Sequence, residues 1–228
     1  VPDIAPEYVH FDGGFRDSPE WGSNSIILPW YLYQWYGDKQ VLEEAYPMMQ
    51  RYVDYLQKKA SGYILSFGLG DWFDIGPKSP GESQLTPKGV TATAIFYYDL
   101  SIVSKVARLL GKPKDAEGYE EMAEKVRAAF NNAFFNKHTM QYATGSQAAN
   151  AMAVFMNLVE FKYKEAVIEN IVKDIRERNN SLTAGDIGYR YLLRVLEDNG
   201  RSDVIFDMNN RSDVPGYGFQ LANGATSL

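Results

Sequence analysis

The feature that most constrains this chain is a helical hairpin that recurs along it. Ser23 to Tyr36 reads SNSIILPWYLYQWY, with apolar and aromatic side chains at helical spacing, Pro29 near the start and a Gly37-Asp38 stop. A second helical stretch, Val41 to Lys59, puts Leu42, Tyr46, Met49, Tyr52, Val53 and Leu56 on one face. Only Gly-Asp-Lys-Gln joins the two, and so short a link forces them antiparallel. The unit returns three times: Val90 to Leu110 with Asp115 to Phe135, Ser146 to Leu158 with Tyr163 to Arg178, and Gly185 to Leu196 with Ser202 to about Met208.

Links within a pair are short (GDKQ, GKPK, VEFK, EDNG), whereas links between pairs are long and hold Gly, Pro, Trp and Asp. Hairpins of this kind pack side by side into an arc, a solenoid or a closed ring, with the long loops at one end. The hairpins share no motif or fixed period, which weighs against a solenoid. The expected class is all-α, antiparallel hairpins without a sizeable sheet, and function is expected in the long loops.

Composition narrows the partners. With 228 residues, 45% of them apolar, the chain can bury the core of one domain or at most two. Its net charge of -6 is spread through the sequence, which disfavours nucleic acid and anionic membranes. There is no apolar run of about 20 residues to span a bilayer, and no signal-like segment at the start. Zero cysteines exclude disulfides and thiolate chemistry and leave the compartment open. His10 and His138 are isolated, so neither a metal nor another cofactor is expected. Sixteen tyrosines are many for a dry core, because each buried hydroxyl needs a partner; they suggest a polar site lined with rings.

The stretch FGLGDWFDIGP, from Phe67 to Pro77, sets two carboxylates around two large rings. Rings beside carboxylates suit a neutral polyhydroxylated ligand: the ring face covers sugar C–H groups and the acids accept from hydroxyls. On that reading Asp71 and Trp72 grip a sugar; on the other, Trp72 is a plug and Asp71 caps the turn. FRDSPEWG offers Asp17, Glu20 and Trp21, although Asp17 or Ser18 also suits a helix cap ahead of Pro19. DVPGYGFQLANGATS reads as a loop with Tyr217 and Phe219 between glycines, and SLTAGD as a helix start carrying Gly185 and Asp186.

In order, EWGSNSIILPWYLYQWYGD, GDWFD, TPKGVTATA, SQAANAMA, LTAGDIGYRYLLRVLEDNGRSD and PGYGFQLANGATSL resemble the catalytic domain of bacterial α-L-rhamnosidases, inverting enzymes built as a six-hairpin toroid. The likeness covers nearly the whole chain. It implies an (α/α)6 toroid, here partial, with residues 1–228 expected to be truncated at both ends. By the same resemblance Trp21, Asp71 and Trp72 line the rhamnosyl pocket, and Tyr217 and Phe219 fall in an aromatic turn. Ser23 stands where the family carries aspartate, so Asp17 or Glu20 is expected to substitute for it.

The resemblance also places the general acid, a glutamate, upstream of anything matching Val1, and the general base just beyond a G-A-T-x-x segment, here Gly224-Ala225-Thr226-Ser227-Leu228. No catalytic residue is therefore expected within the chain, only walls for a rhamnose-containing carbohydrate. An apolar edge is expected where further hairpins would pack, with self-association through it. Two rivals stand: another enzyme on an α/α toroid, and a non-catalytic helical module that binds glycan or protein.

Overall fold

The computed structural model describes residues 6–226, so Ser227 and Leu228 of the G-A-T-x-x segment lie outside the described residues. The chain divides into two compact units, Val1–Gly70 with Lys88–Phe134, and Asp71–Pro87 with Phe135–Leu228. The fold is helical throughout, with one two-stranded ladder among the described residues.

The first unit holds a short helix α1 (Pro19–Gly22) and two hairpins, α2 (Asn24–Tyr36) with α3 (Gln40–Lys59) and α4 (Lys88–Leu109) with α5 (Pro113–Phe134). The six α3 residues read from the sequence as one face, Leu42 to Leu56, are all buried. Burying side chains of this size contributes roughly 1.5–3 kcal/mol each, which is what makes an amphipathic stretch of this length a stable helix. Helix α4 is buried along almost its whole length and forms the centre of this unit.

Strands β1 (Phe135–Asn136) and β2 (Gln141–Tyr142) open the main part of the second unit, followed by the hairpins α6 (Gln147–Phe155) with α7 (Phe161–Glu177) and α8 (Gly188–Asp198) with α9 (Ser202–Asn209), then α10 (Tyr217–Ala222). Helix α6 is buried on nearly every side. Its N-cap, Ser146, accepts the Ala149 N–H at 3.2 Å.

Each of the four expected hairpins is present, and each connection between the paired helices contains one residue in the left-handed region: Gly37, Gly111, Asn157 and Gly200. That conformation ends a helix by turning the chain back on the preceding turn, and glycine and asparagine adopt it at least cost. The loop expected over DVPGYGFQLANGATS is corrected: Tyr217 to Ala222 is helical. The stretch NKHTMQYATG carries most of the β1–β2 ladder, whose turn forms as Asn136 Oδ1 accepts the His138 N–H at 2.9 Å.

Helix α2 is apolar all round yet buries only Ile26, Ile27 and Pro29. Its other side leaves Leu28 (55%), Leu32 (37%), Trp35 (81%) and Tyr36 (76%) exposed at helical spacing. No described helix is long and apolar enough to cross a membrane.

Candidate functional site

Three of the candidate residues lie in the first unit and three in the second. In the first, the carboxylates are engaged by the protein itself. Glu20 is buried; Ser18 Oγ donates to its Oε2 at 2.6 Å and Thr91 Oγ1 to its Oε1 at 2.5 Å. Ser18 sits at the N-cap position of α1, and its hydroxyl also accepts the Leu69 N–H at 3.0 Å. This ties the FRDSPEWG and FGLG stretches together. Asp17 Oδ2 accepts from Tyr55 Oη at 2.5 Å and Lys59 Nζ at 3.2 Å, which fastens it to α3. Trp21 is half-buried.

Ser23 has a partner that the sequence did not reveal. Its hydroxyl donates to Asp99 Oδ2, in the middle of α4, at 2.5 Å. Asp99 is fully buried, and its Oδ1 has no hydrogen-bond partner among the described residues. Burial pushes its carboxyl well above the usual carboxylate range, and the Ser23 bond only partly opposes that.

In the second unit, the loop Asp71-Trp72-Phe73-Asp74 turns its acids inward and its rings outward. Asp71 has no exposed surface; its Oδ2 accepts the Gly185 N–H at 2.9 Å and its Oδ1 the Gly188 N–H at 2.7 Å. Burial raises its carboxyl to about 6 even though those two backbone donors pull the other way. Asp74, also buried, accepts the backbone N–H groups of Gln84 at 2.9 Å and Leu85 at 2.6 Å, and so closes the loop that follows.

Phe73 is 48% exposed and holds φ at +61°, a strained value for a bulky side chain. Its N–H donates to Gly81 O at 2.8 Å, and its ring meets Trp72 edge-on at 5.0 Å. The Trp72 carbonyl accepts the Asp186 N–H at 2.8 Å. Glycine is required at both ends of this contact. A Cβ on Gly185 would lie 2.2 Å from Trp72 O, and one on Gly188 would lie 2.4 Å from the Ala148 methyl.

These elements border a cavity of about 760 Å³ in the second unit. Phe73 and Tyr217 supply rings to it, Asp186 a carboxylate, and Gln220 of α10 an amide. Tyr217 packs against Tyr189 at 5.8 Å in a T-shape. Asn209 Oδ1 clamps both residues, accepting from Tyr189 Oη at 2.9 Å and from the Tyr217 N–H at 3.3 Å. On the α8 side, Arg194 pairs with Glu197 at 3.3 Å. A cavity of this size, with rings and a few convergent polar groups, suits a small polar ligand. Among the described residues no cluster of three acidic or histidine side chains is arranged to hold a metal ion.

Of the six candidates, Tyr217 borders this cavity directly; Trp72 reaches it through Phe73 and through the backbone of Asp186. Phe73, Tyr189 and Asp186 were not singled out as site residues from the sequence. Phe73 and Asp186 fall in the GDWFD and SLTAGD stretches quoted above, but what brings them together is not local: the pairing of Asp71 with Gly185 and Gly188 spans 114 and 117 residues.

The chain matches, over residues 1–228, the family model described as the bacterial alpha-L-rhamnosidase six-hairpin glycosidase domain. It is 31% identical over 227 residues to an alpha-L-rhamnosidase of Streptomyces avermitilis, covering 99% of this chain and 21% of that protein. The crystal structure of a Streptomyces avermitilis alpha-L-rhamnosidase complexed with L-rhamnose superposes with a TM-score of 0.83 and 32% identity, over 91% of this chain and 19% of that one. An alpha-L-rhamnosidase structure from Dictyoglumus thermophilum gives a TM-score of 0.89 and 34% identity, over 99% of this chain and 25% of that one. The 228 residues thus span about a fifth to a quarter of the length of these relatives. With the hairpins in place and the match running from end to end, the chain belongs to the bacterial alpha-L-rhamnosidase six-hairpin glycosidase domain family.

Proposed function

We propose that the whole protein containing these residues removes terminal α-L-rhamnosyl groups from glycosides or polysaccharides, with inversion at the anomeric carbon. The observation that carries this reading is the L-rhamnose held by the Streptomyces avermitilis enzyme, which shares this fold and 32% of aligned residues. Residues 1–228 supply four hairpins of the catalytic domain, together with walls of the sugar site.

Trp21 in the first unit, and separately Trp72 and Tyr217 in the second, each offer a ring face of the kind that covers the apolar side of a pyranose. Asp17, Glu20 and Asp71 serve the substrate by holding those walls. Each accepts hydrogen bonds from protein groups, and such support fixes a site within the tolerance that binding needs. The general acid and general base are glutamates outside residues 1–228. The acid protonates the leaving oxygen while the base activates a water on the opposite face of the sugar.

Release of nitrophenol from an aryl α-L-rhamnoside tests this, with the whole protein and residues 1–228 assayed side by side. Turnover by the whole protein alone is expected. Turnover by residues 1–228 would place the acid and base inside them, and silence from both would favour a non-catalytic glycan-binding module.

A further inference from the structure

Asp186 combines a rigid backbone with an idle side chain. Its N–H is fixed to Trp72 O at 2.8 Å, and the N–H groups of Gly185 and Gly188, on either side of it, are held by the two oxygens of Asp71. Gly185 lies so close to Trp72 O that no side chain fits there. The carboxylate thus held has no hydrogen bond or ion pair among the described residues. It does not cap α8, whose N-cap is Ile187 with no side-chain bond. Instead it borders the 760 Å³ cavity that Phe73 and Tyr217 also border. The other carboxylate on that wall, Glu197, is already paired with Arg194.

A carboxylate acceptor carried on a fixed backbone beside aromatic rings suits a neutral ring of C–H faces and hydroxyls. We propose that Asp186 is a specificity-determining binding residue, whose carboxylate accepts hydrogen bonds from adjacent hydroxyls of a neutral pyranose seated against Phe73 and Tyr217. This rests on the rhamnosidase reading and adds to it a residue that discriminates among sugars. The strained backbone of Phe73, anchored by Gly81 O, fits the same picture, since strain of this kind persists where the surroundings fix a side chain for use. Asp186 is an exposed residue, so its carboxylate is open to a ligand, and partial burial raises it above its ordinary value.

The test uses the whole protein with Asp186→Ala and Asp186→Asn. Steady-state kinetics are measured on an aryl α-L-rhamnoside, its singly deoxygenated analogues and a rhamnosyl disaccharide, alongside fluorescence titration with free L-rhamnose and thermal unfolding. Asp186→Ala should raise KM roughly 10- to 100-fold, the scale of one hydrogen bond to a charged group, with little change in kcat or melting temperature. Removing one hydroxyl from the substrate should cost the wild type as much and the Ala variant almost nothing. An effect on the aryl rhamnoside places the rhamnosyl ring at Asp186; an effect confined to the disaccharide places the neighbouring sugar there. Unchanged KM for every substrate, or additive losses in the deoxygenated series, overturns the proposal and leaves the rhamnosidase reading intact. If the wild type turns over nothing, that reading falls, and the titration decides for Asp186: rhamnose binding lost in both variants supports it, while equal binding or none overturns it.

Discussion

The Gly188 N–H donates to Asp71 Oδ1 at 2.7 Å across 117 residues of sequence, and the Gly185 N–H donates to Oδ2 of the same carboxylate. The GDWFD loop and the start of α8 are therefore one structural piece. Asp71→Asn puts an amide NH2 opposite a backbone N–H and should lower stability by roughly 1–3 kcal/mol at neutral pH, with Gly188→Ala at least as damaging through its clash with Ala148. Urea denaturation measures both, and stability equal to wild type in either would show that this contact does not hold the loop.

The same carboxyl makes stability depend on pH. Asp71 titrates at about 6 in the folded chain against an ordinary value of 3.8, so between those values the folded state holds the proton more tightly than the unfolded state. Stability is greatest below about pH 4 as far as this group is concerned, and it falls as pH rises to about 6. Unfolding free energies across that range should show the decline in the wild type and a smaller one in Asp71→Asn; a wild-type contribution that rises through the window would contradict the assignment.

Ser23 and Asp99 make a second buried pair at 2.5 Å, with the Asp99 carboxyl raised in the same direction as that of Asp71. A neutral isostere removes the cost of burying charge, so Asp99→Asn should be neutral or stabilising at pH 7. Ser23→Asp sets two acids against each other in the core and should destabilise by several kcal/mol, lowering the melting temperature. A Ser23→Asp variant as stable as wild type would mean that the pair relaxes apart.

In the whole enzyme, Trp72→Ala removes a ring that packs against Phe73, and it should weaken sugar binding by roughly 1–3 kcal/mol, read as a rise in KM for the aryl rhamnoside. Unchanged KM with the fold preserved would make Trp72 a structural plug.

Residues 1–228 made alone expose the α2 stripe of Leu28, Leu32, Trp35 and Tyr36. Sedimentation should show concentration-dependent association that Trp35→Lys reduces. A monomer at all concentrations, with or without the substitution, would show that the stripe tolerates water.

The hairpins were legible because the period of their apolar residues and the shortness of their links are local properties. The whole buried face of α3, Leu42 to Leu56, could be written down from spacing alone. The short helix at Tyr217 to Ala222 was hidden by flanking glycines that read as loop signals, although packing of Tyr217 on Tyr189 supports it. The GDWFD loop was half legible: its composition announces rings and acids, but not that Asp71 and Asp74 turn inward while Phe73 faces the cavity. The partners that decide this, Gly185, Gly188, Gln84 and Leu85, contribute backbone N–H groups, so no side chain records the pairing, although the close approach demands glycine at 185 and 188.

The most direct test of the account follows the hydrolysis of an aryl α-L-rhamnoside by the whole protein with proton NMR, before the product equilibrates between anomers. β-L-Rhamnose appearing first is the expected result, as an inverting two-carboxylate mechanism requires. α-L-Rhamnose appearing first, or no rhamnose released at all, would contradict it.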